Sequence, residues 1–115
     1  MPRNVRVRPD FGQLETFLTV AEVLSFAGAA RLLGVSQPAI SQAIARLEEI
    51  LGADLFERRR GAPVGLTQVG QAMLPKAKML LFMVDTQMGH AIEIAQSKRG
   101  ALTIGFHTSL ARGPL

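Results

Sequence analysis

Residues 25–58 read SFAGAARLLGVSQPAISQAIARLEEILGADLFER, and this stretch decides the fold. Ser25 is an N-cap residue, and Phe26 to Leu33 form a short helix with Phe26, Ala29, Ala30 and Leu33 on one side. Gly34 is placed to end that helix in a left-handed turn. Ser36 caps the next helix, and Pro38 sits in its first turn, where a missing N–H costs nothing. Ile40, Ala43, Ile44, Leu47 and Leu51 make an inward stripe that Gly52 terminates. Two helices joined by a short turn containing glycine, the second entered through Ser-Gln-Pro, form a helix-turn-helix pattern.

The flanks fit around it. Upstream, Asp10 is an N-cap with Gln13 in a capping-box arrangement, and Leu14, Phe17, Leu18, Ala21 and Leu24 follow at helical spacing. Residues 1–10 read as a flexible basic leader whose Arg3, Arg6 and Arg8 are within reach of phosphate, although a solvated tail is the blander reading. Downstream, residues 53–67 carry Leu55 and Phe56, then Arg58, Arg59 and Arg60, then Gly61, Pro63 and Gly65. That is a two-stranded hairpin with a basic tip, a wing on the helix-turn-helix. The winged domain spans residues 11–68, with the helix-turn-helix at about 27–46.

Thr67 caps a long helix expected over residues 67–95. Val69, Met73, Ala77, Leu80, Val84, Met88, Ala91 and Ala95 recur at steps of four and three, a sustained heptad-like seam. Leu81, Phe82 and Met83 widen the apolar face, and Pro75 and Gly89 predict a bend or loosening near each. A seam of this length needs a partner, most simply a second copy, which makes Met73, Ala77, Leu80, Val84, Met88 and Ala91 the candidate dimerisation residues. Residues 96–115 read as a polar hinge over Ser97 to Gly100, then a strand at Leu102 to Phe106 with no partner strand after it, as at the start of a truncated second domain.

Composition narrows the function. The 115 residues are 48% hydrophobic and 19% charged, enough to bury a core. Lys and Arg total 13 against 9 acids, for a net charge of +4, which fits an anionic partner without proving one. With no cysteine there is no disulfide scaffold, thiolate catalysis or Cys-ligated metal. Without Trp or Tyr, a stacking platform for single strands is disfavoured. No apolar run is long enough for a membrane span and no secretory signal is evident, so a cytoplasmic protein is expected. His90 and His107 lie in different segments and Ser109 has no base nearby in sequence, so neither a metal site nor a catalytic set is expected. Met73, Met79, Met83 and Met88 read as adaptable interface packing.

The stretch from Ser25 to Arg58 closely resembles the N-terminal DNA-binding domain of LysR-type transcriptional regulators. The resemblance rests on Ser25-Phe26, Ala29-Ala30, Leu33, Ser36 to Ala39, Ser41, Ile44, Leu47-Glu48, Leu51-Gly52 and Leu55 to Arg58, and continues through Leu66-Thr67, Gly70 and the following helix. It implies a mainly α fold: a winged helix-turn-helix, a long dimerisation helix, and the first strand of a truncated α/β effector domain. It also implies a homodimeric regulator on double-stranded DNA, with no cofactor in this chain and a small-molecule inducer only where the effector domain is complete. The rival readings are an interaction module without DNA binding and a small enzyme.

A recognition helix presents its N-terminal half to base edges in the major groove. Pro38, Ser41, Gln42, Ala45 and Arg46 lie opposite the apolar stripe, and no acid occurs between Gln37 and Leu47. Gln37 and Gln42 suit a bidentate contact to adenine. Ser36 is a cap and a candidate phosphate donor, Ser41 a donor to phosphate or base, and Pro38 and Ala39 small apolar surfaces for a thymine methyl. Arg46 is a candidate for phosphate, although an exposed arginine is usually solvated. On a wing, Arg59 and Arg60 are candidates for phosphate or minor groove, whereas Arg58 is expected to be partly structural, its stem beside Phe56.

Overall fold

The computed structural model describes residues 7–59 and 62–100; Arg60 and the strand expected at Leu102 to Phe106 lie outside them. The element order is α1 (Phe11–Val23), α2 (Phe26–Leu33), α3 (Gln37–Leu51), β1 (Phe56–Glu57), β2 (Gly65–Leu66) and α4 (Gln68–Gly100). The chain divides after Lys78 into two compact units.

In the first unit each helix starts where its cap puts it. The Asp10 carboxylate accepts from the Gln13 amide at 2.7 Å, and the Gln13 side chain accepts from the Asp10 amide at 3.0 Å, closing the capping box. Ser25 accepts from Gly28 at 2.9 Å and Ser36 from Ala39 at 3.2 Å. The Thr67 hydroxyl accepts from the Gly70 amide at 3.0 Å while donating to the Asp54 carbonyl at 2.7 Å, so one side chain starts α4 and ties it to the wing. Gly34 and Gly52 end α2 and α3 at φ 70° and 73°, where a side chain would meet the backbone.

Leu24 departs from its expected place on the α1 stripe. The helix stops at Val23, and Leu24 is a left-handed C-cap at φ 52° whose N–H donates to the Val20 carbonyl at 2.7 Å. With Ser25 already committed to capping α2, a single residue makes the corner. Val20 fills the core position instead.

The core is Leu14, Phe17 and Val20 of α1, Ala29 and Ala30 of α2, and Ile40, Ile44 and Leu47 of α3, closed by Leu55, Phe56 and Ala77. The Phe17 and Phe56 rings lie 5.6 Å apart and tilted, and Phe26 meets Phe56 edge-on at 5.9 Å. Leu51, expected in the inward stripe, is instead 39% exposed, because α3 outruns the body it packs on and Leu55 takes the inner place after the turn. The two strands pair antiparallel, with Phe56 opposite Leu66 and Glu57 opposite Gly65.

The helix α4 corrects one expectation. It continues to Gly100 through the residues expected as a hinge, because Gln96 to Arg99 include no helix breaker. It is one continuous helix through Pro75 and Gly89, and Pro75 deprives the Gln71 carbonyl of its usual partner. Within the first unit, Leu74 and Lys78 border a small crevice with Leu18, Ala21 and Glu22 of α1, and Ala77 is fully buried. In the second unit, Met79, Leu80, Phe82, Met83, Met88, Ile92 and Ile94 are all exposed.

Candidate nucleic-acid interface

The helix α3 is two-sided. Ile40, Ile44 and Leu47 are buried, whereas Gln37, Pro38, Ala39, Ser41, Gln42, Ala45 and Arg46 are exposed. This is the helical period made physical: the apolar stripe anchors α3 on α1 and α2 and turns every polar candidate outward. Ser36 is exposed but engaged as the cap.

The outward face has two flanks. Gln37, Ser41 and Ala45 line an open groove with Arg58 and with Ala62, Pro63 and Val64 of the wing. Its third wall is Leu24 to Ala27, the corner and first turn of α2. Sequence reasoning left that wall out, although Ser25 as a cap with no acid in the first turn of α2 was the available signal. On the other flank, Ala39, Gln42 and Arg46 border a shallow surface with Asp10, Gly12 and Gln13 at the start of α1.

Charges fold back onto this face in a way the acid-free run from Gln37 to Leu47 did not announce. Arg46 pairs with Glu49 at 3.0 Å, Arg59 with Glu57 at 3.6 Å, and Arg58 with Glu48 at 3.4 Å. The first two pairs are more than half exposed on both partners, and such pairs are worth about 0–1 kcal/mol, so a phosphate can displace the carboxylate cheaply. The third differs. The Glu48 side chain is 12% exposed, and the Arg58 guanidinium lies 5.1 Å over the Phe26 ring. Arg58 is therefore held by Glu48 and Phe26, and its structural role is larger than the stem packing on Phe56 expected for it.

Of the expected dimerisation residues, Leu80, Met88 and Ala91 are exposed, Met73 and Val84 are half-buried, and Ala77 has no exposed surface. Ala77 is thus a core residue of its own chain, small enough for α4 to approach closely. Among the described residues, no three His, Asp or Glu side chains cluster to hold a metal, and no helix is long and apolar enough to cross a membrane.

Comparison with known proteins gives this geometry a context. The model for the bacterial regulatory helix-turn-helix protein, LysR family, matches residues 11–71. The chain is 42% identical over 101 residues to the HTH-type transcriptional regulator BudR of Klebsiella aerogenes, covering 88% of this chain and 70% of that protein. It is 41% identical to the uncharacterized HTH-type transcriptional regulator YnfL of Escherichia coli over 92% of this chain, but spans only 34% of that protein. Among solved structures, the DNA-binding domain of BenM in complex with catB site 1 DNA is 37% identical with a TM-score of 0.70, covering 75% of this chain and 96% of that one. Vibrio fischeri DarR, solved in complex with DNA, is 32% identical with a TM-score of 0.74, covering 77% of this chain and 30% of that one. The capped helix-turn-helix, the two-stranded wing, the helix that follows and the family match over residues 11–71 together place this chain in the LysR family of bacterial regulatory helix-turn-helix proteins.

Proposed function

We propose that this chain binds double-stranded DNA sequence-specifically as a homodimer, with α3 of each copy in a major groove and the wings on flanking phosphates or minor grooves. The observation that carries the reading is the outer face of α3: seven exposed positions free of carboxylates, from Gln37 to Arg46, beside a groove walled by the wing. A helix in the major groove needs such a face, since a carboxylate there would repel phosphate. The DNA complexes of BenM and DarR support the same docking. The exposed apolar residues of α4 beyond Lys78, led by Leu80 and Met88, are the dimer surface, and Ala77 is not part of it. Binding needs no cofactor; a small-molecule inducer acts only through a complete effector domain.

Readers of bases and holders of phosphate separate by mutation. Gln42 is exposed and has no core role, so Gln42→Ala is expected to leave folding intact. It should cost roughly 1–3 kcal/mol against the preferred site and less against scrambled duplex. Arg59→Ala and Arg60→Ala should weaken binding to both duplexes alike, each lowering the salt slope by about one. Affinities on both duplexes across a salt series decide it. Equal losses for Gln42→Ala would move that residue to the phosphate contacts, and a loss confined to the preferred site for either arginine would make it a reader of groove shape.

A further inference from the structure

We propose that Glu48 is a positioning residue for DNA binding: from the end of α3 it fixes the wing and keeps Arg58 neutralised on Phe26, leaving the hairpin beyond Arg58 to meet the DNA. The inference rests on the DNA-binding reading above, and one arm of its test does not.

The placement is unusual for a glutamate on a helix that otherwise turns its polar side chains outward. The Glu48 side chain is 12% exposed, and its two oxygens are engaged on the same small region. Oε2 accepts from the Leu55 amide at 2.8 Å, and both oxygens lie 3.4 Å from Nη2 of Arg58. The Glu48 backbone carbonyl takes the Gly52 and Ala53 amides at 2.8 and 3.2 Å. One residue thus holds the whole passage from helix to strand. The Leu55 carbonyl in turn accepts from Thr67, at the start of α4. Leu55 is fully buried and immediately precedes β1, so where its backbone sits is where the wing starts.

The same carboxylate decides what Arg58 can do. Arg58 lines the groove beside Gln37 and Ser41, where a free guanidinium would reach any phosphate that enters. Paired through Nη2 with a mostly buried carboxylate and set over the Phe26 ring, the half-exposed guanidinium has its charge offset by Glu48. Phosphate attraction on the wing then falls to the arginines after it.

Glu48→Ala and Glu48→Gln in the full chain test this. The first arm is amide exchange without DNA. A hydrogen bond to a charged group is worth about 10- to 100-fold in an equilibrium, so Glu48→Ala should speed exchange at Leu55 by about that factor. The amides of Ile44 and Leu47 should be unchanged. Glu48→Gln keeps an acceptor and should restore most of the Leu55 protection. The second arm is DNA binding. Glu48→Ala should lose the hydroxyl-radical protection given by the wing and about tenfold in affinity for the preferred duplex, with the contacts of α3 retained. Glu48→Gln should bind scrambled duplex more tightly, with a salt slope steeper by about one as Arg58 is released to phosphate. Unchanged Leu55 exchange in a folded Glu48→Ala, or faster exchange spread evenly over the core, overturns the positioning role. An unchanged salt slope in Glu48→Gln overturns the masking of Arg58, and this variant decides alone if Glu48→Ala does not fold. Should the unaltered chain prefer no duplex, the DNA-binding reading fails, and the exchange arm still judges whether Glu48 holds the wing.

Discussion

A Leu80→Glu, Val84→Glu double variant is expected to be monomeric and to lose about 100-fold or more in affinity for its DNA site. Leu80 is 46% exposed and Val84 is half-buried on the part of α4 beyond Lys78, where the described residues provide a series of apolar side chains. Two glutamates per copy would put four carboxylates into the interface, and an unpaired charge in an apolar contact costs several kcal/mol. Losing the dimer removes the second recognition helix from every binding event, and linked modules gain roughly 10²- to 10⁴-fold over single ones. Light scattering reads the mass and a duplex titration reads the affinity. Circular dichroism should show α1 to α3 intact, since neither residue belongs to their core. A double variant that stays dimeric would place the interface elsewhere.

The second large effect is on stability. Gly70→Ala is expected to destabilise the winged domain by roughly 3 kcal/mol, near the upper end for forcing extra volume into a packed site. A methyl group at Gly70 would run into the Leu55 carbonyl oxygen and come within 2.8 Å of Leu66 Cδ2. The decisive neighbour is backbone: the Leu55 carbonyl accepts from the Thr67 amide and cannot withdraw freely, whereas the end of the Leu66 side chain can turn aside. Replacing Gly by Ala in a helix normally gains about 1 kcal/mol, so a loss here would isolate the close approach of α4 to the wing. The contrast is Gly89→Ala, where a methyl group meets nothing within 4 Å and a small gain is expected. Urea unfolding of both variants measures the difference.

Most of the local structure was legible in the sequence because it is decided locally. Asp10, Ser25, Ser36 and Thr67 each start a helix through an oxygen that reaches an amide three residues on, and that spacing is visible in the chain. The two-sided character of α3 was legible for the same reason. What spacing could not disclose was the partner. Ala77 falls on the same stripe as Leu80 and Met88, yet its contact is its own core, because periodicity marks a face and not what covers it. The extent of α4 was underestimated since polar residues such as Ser97 and Lys98 do not stop a helix. Glu48 was missed as a holder of the wing because its side-chain partners, Leu55 and Arg58, lie across a turn, beyond any helical or strand repeat. Its carboxylate pairs with Arg58, whose guanidinium lies over Phe26.

Selection of duplexes from a random pool by the intact chain tests the central claim most directly. Sequence-specific binding by a symmetric pair of recognition helices predicts enrichment of one motif made of two related half-sites. They should be arranged about a dyad and separated by about one helical turn, roughly 10 base pairs, or a multiple of it. The Leu80→Glu, Val84→Glu variant should lose that two-part motif. Binding that enriches no motif, with equal affinity for every duplex and a dependence on salt alone, would contradict the account.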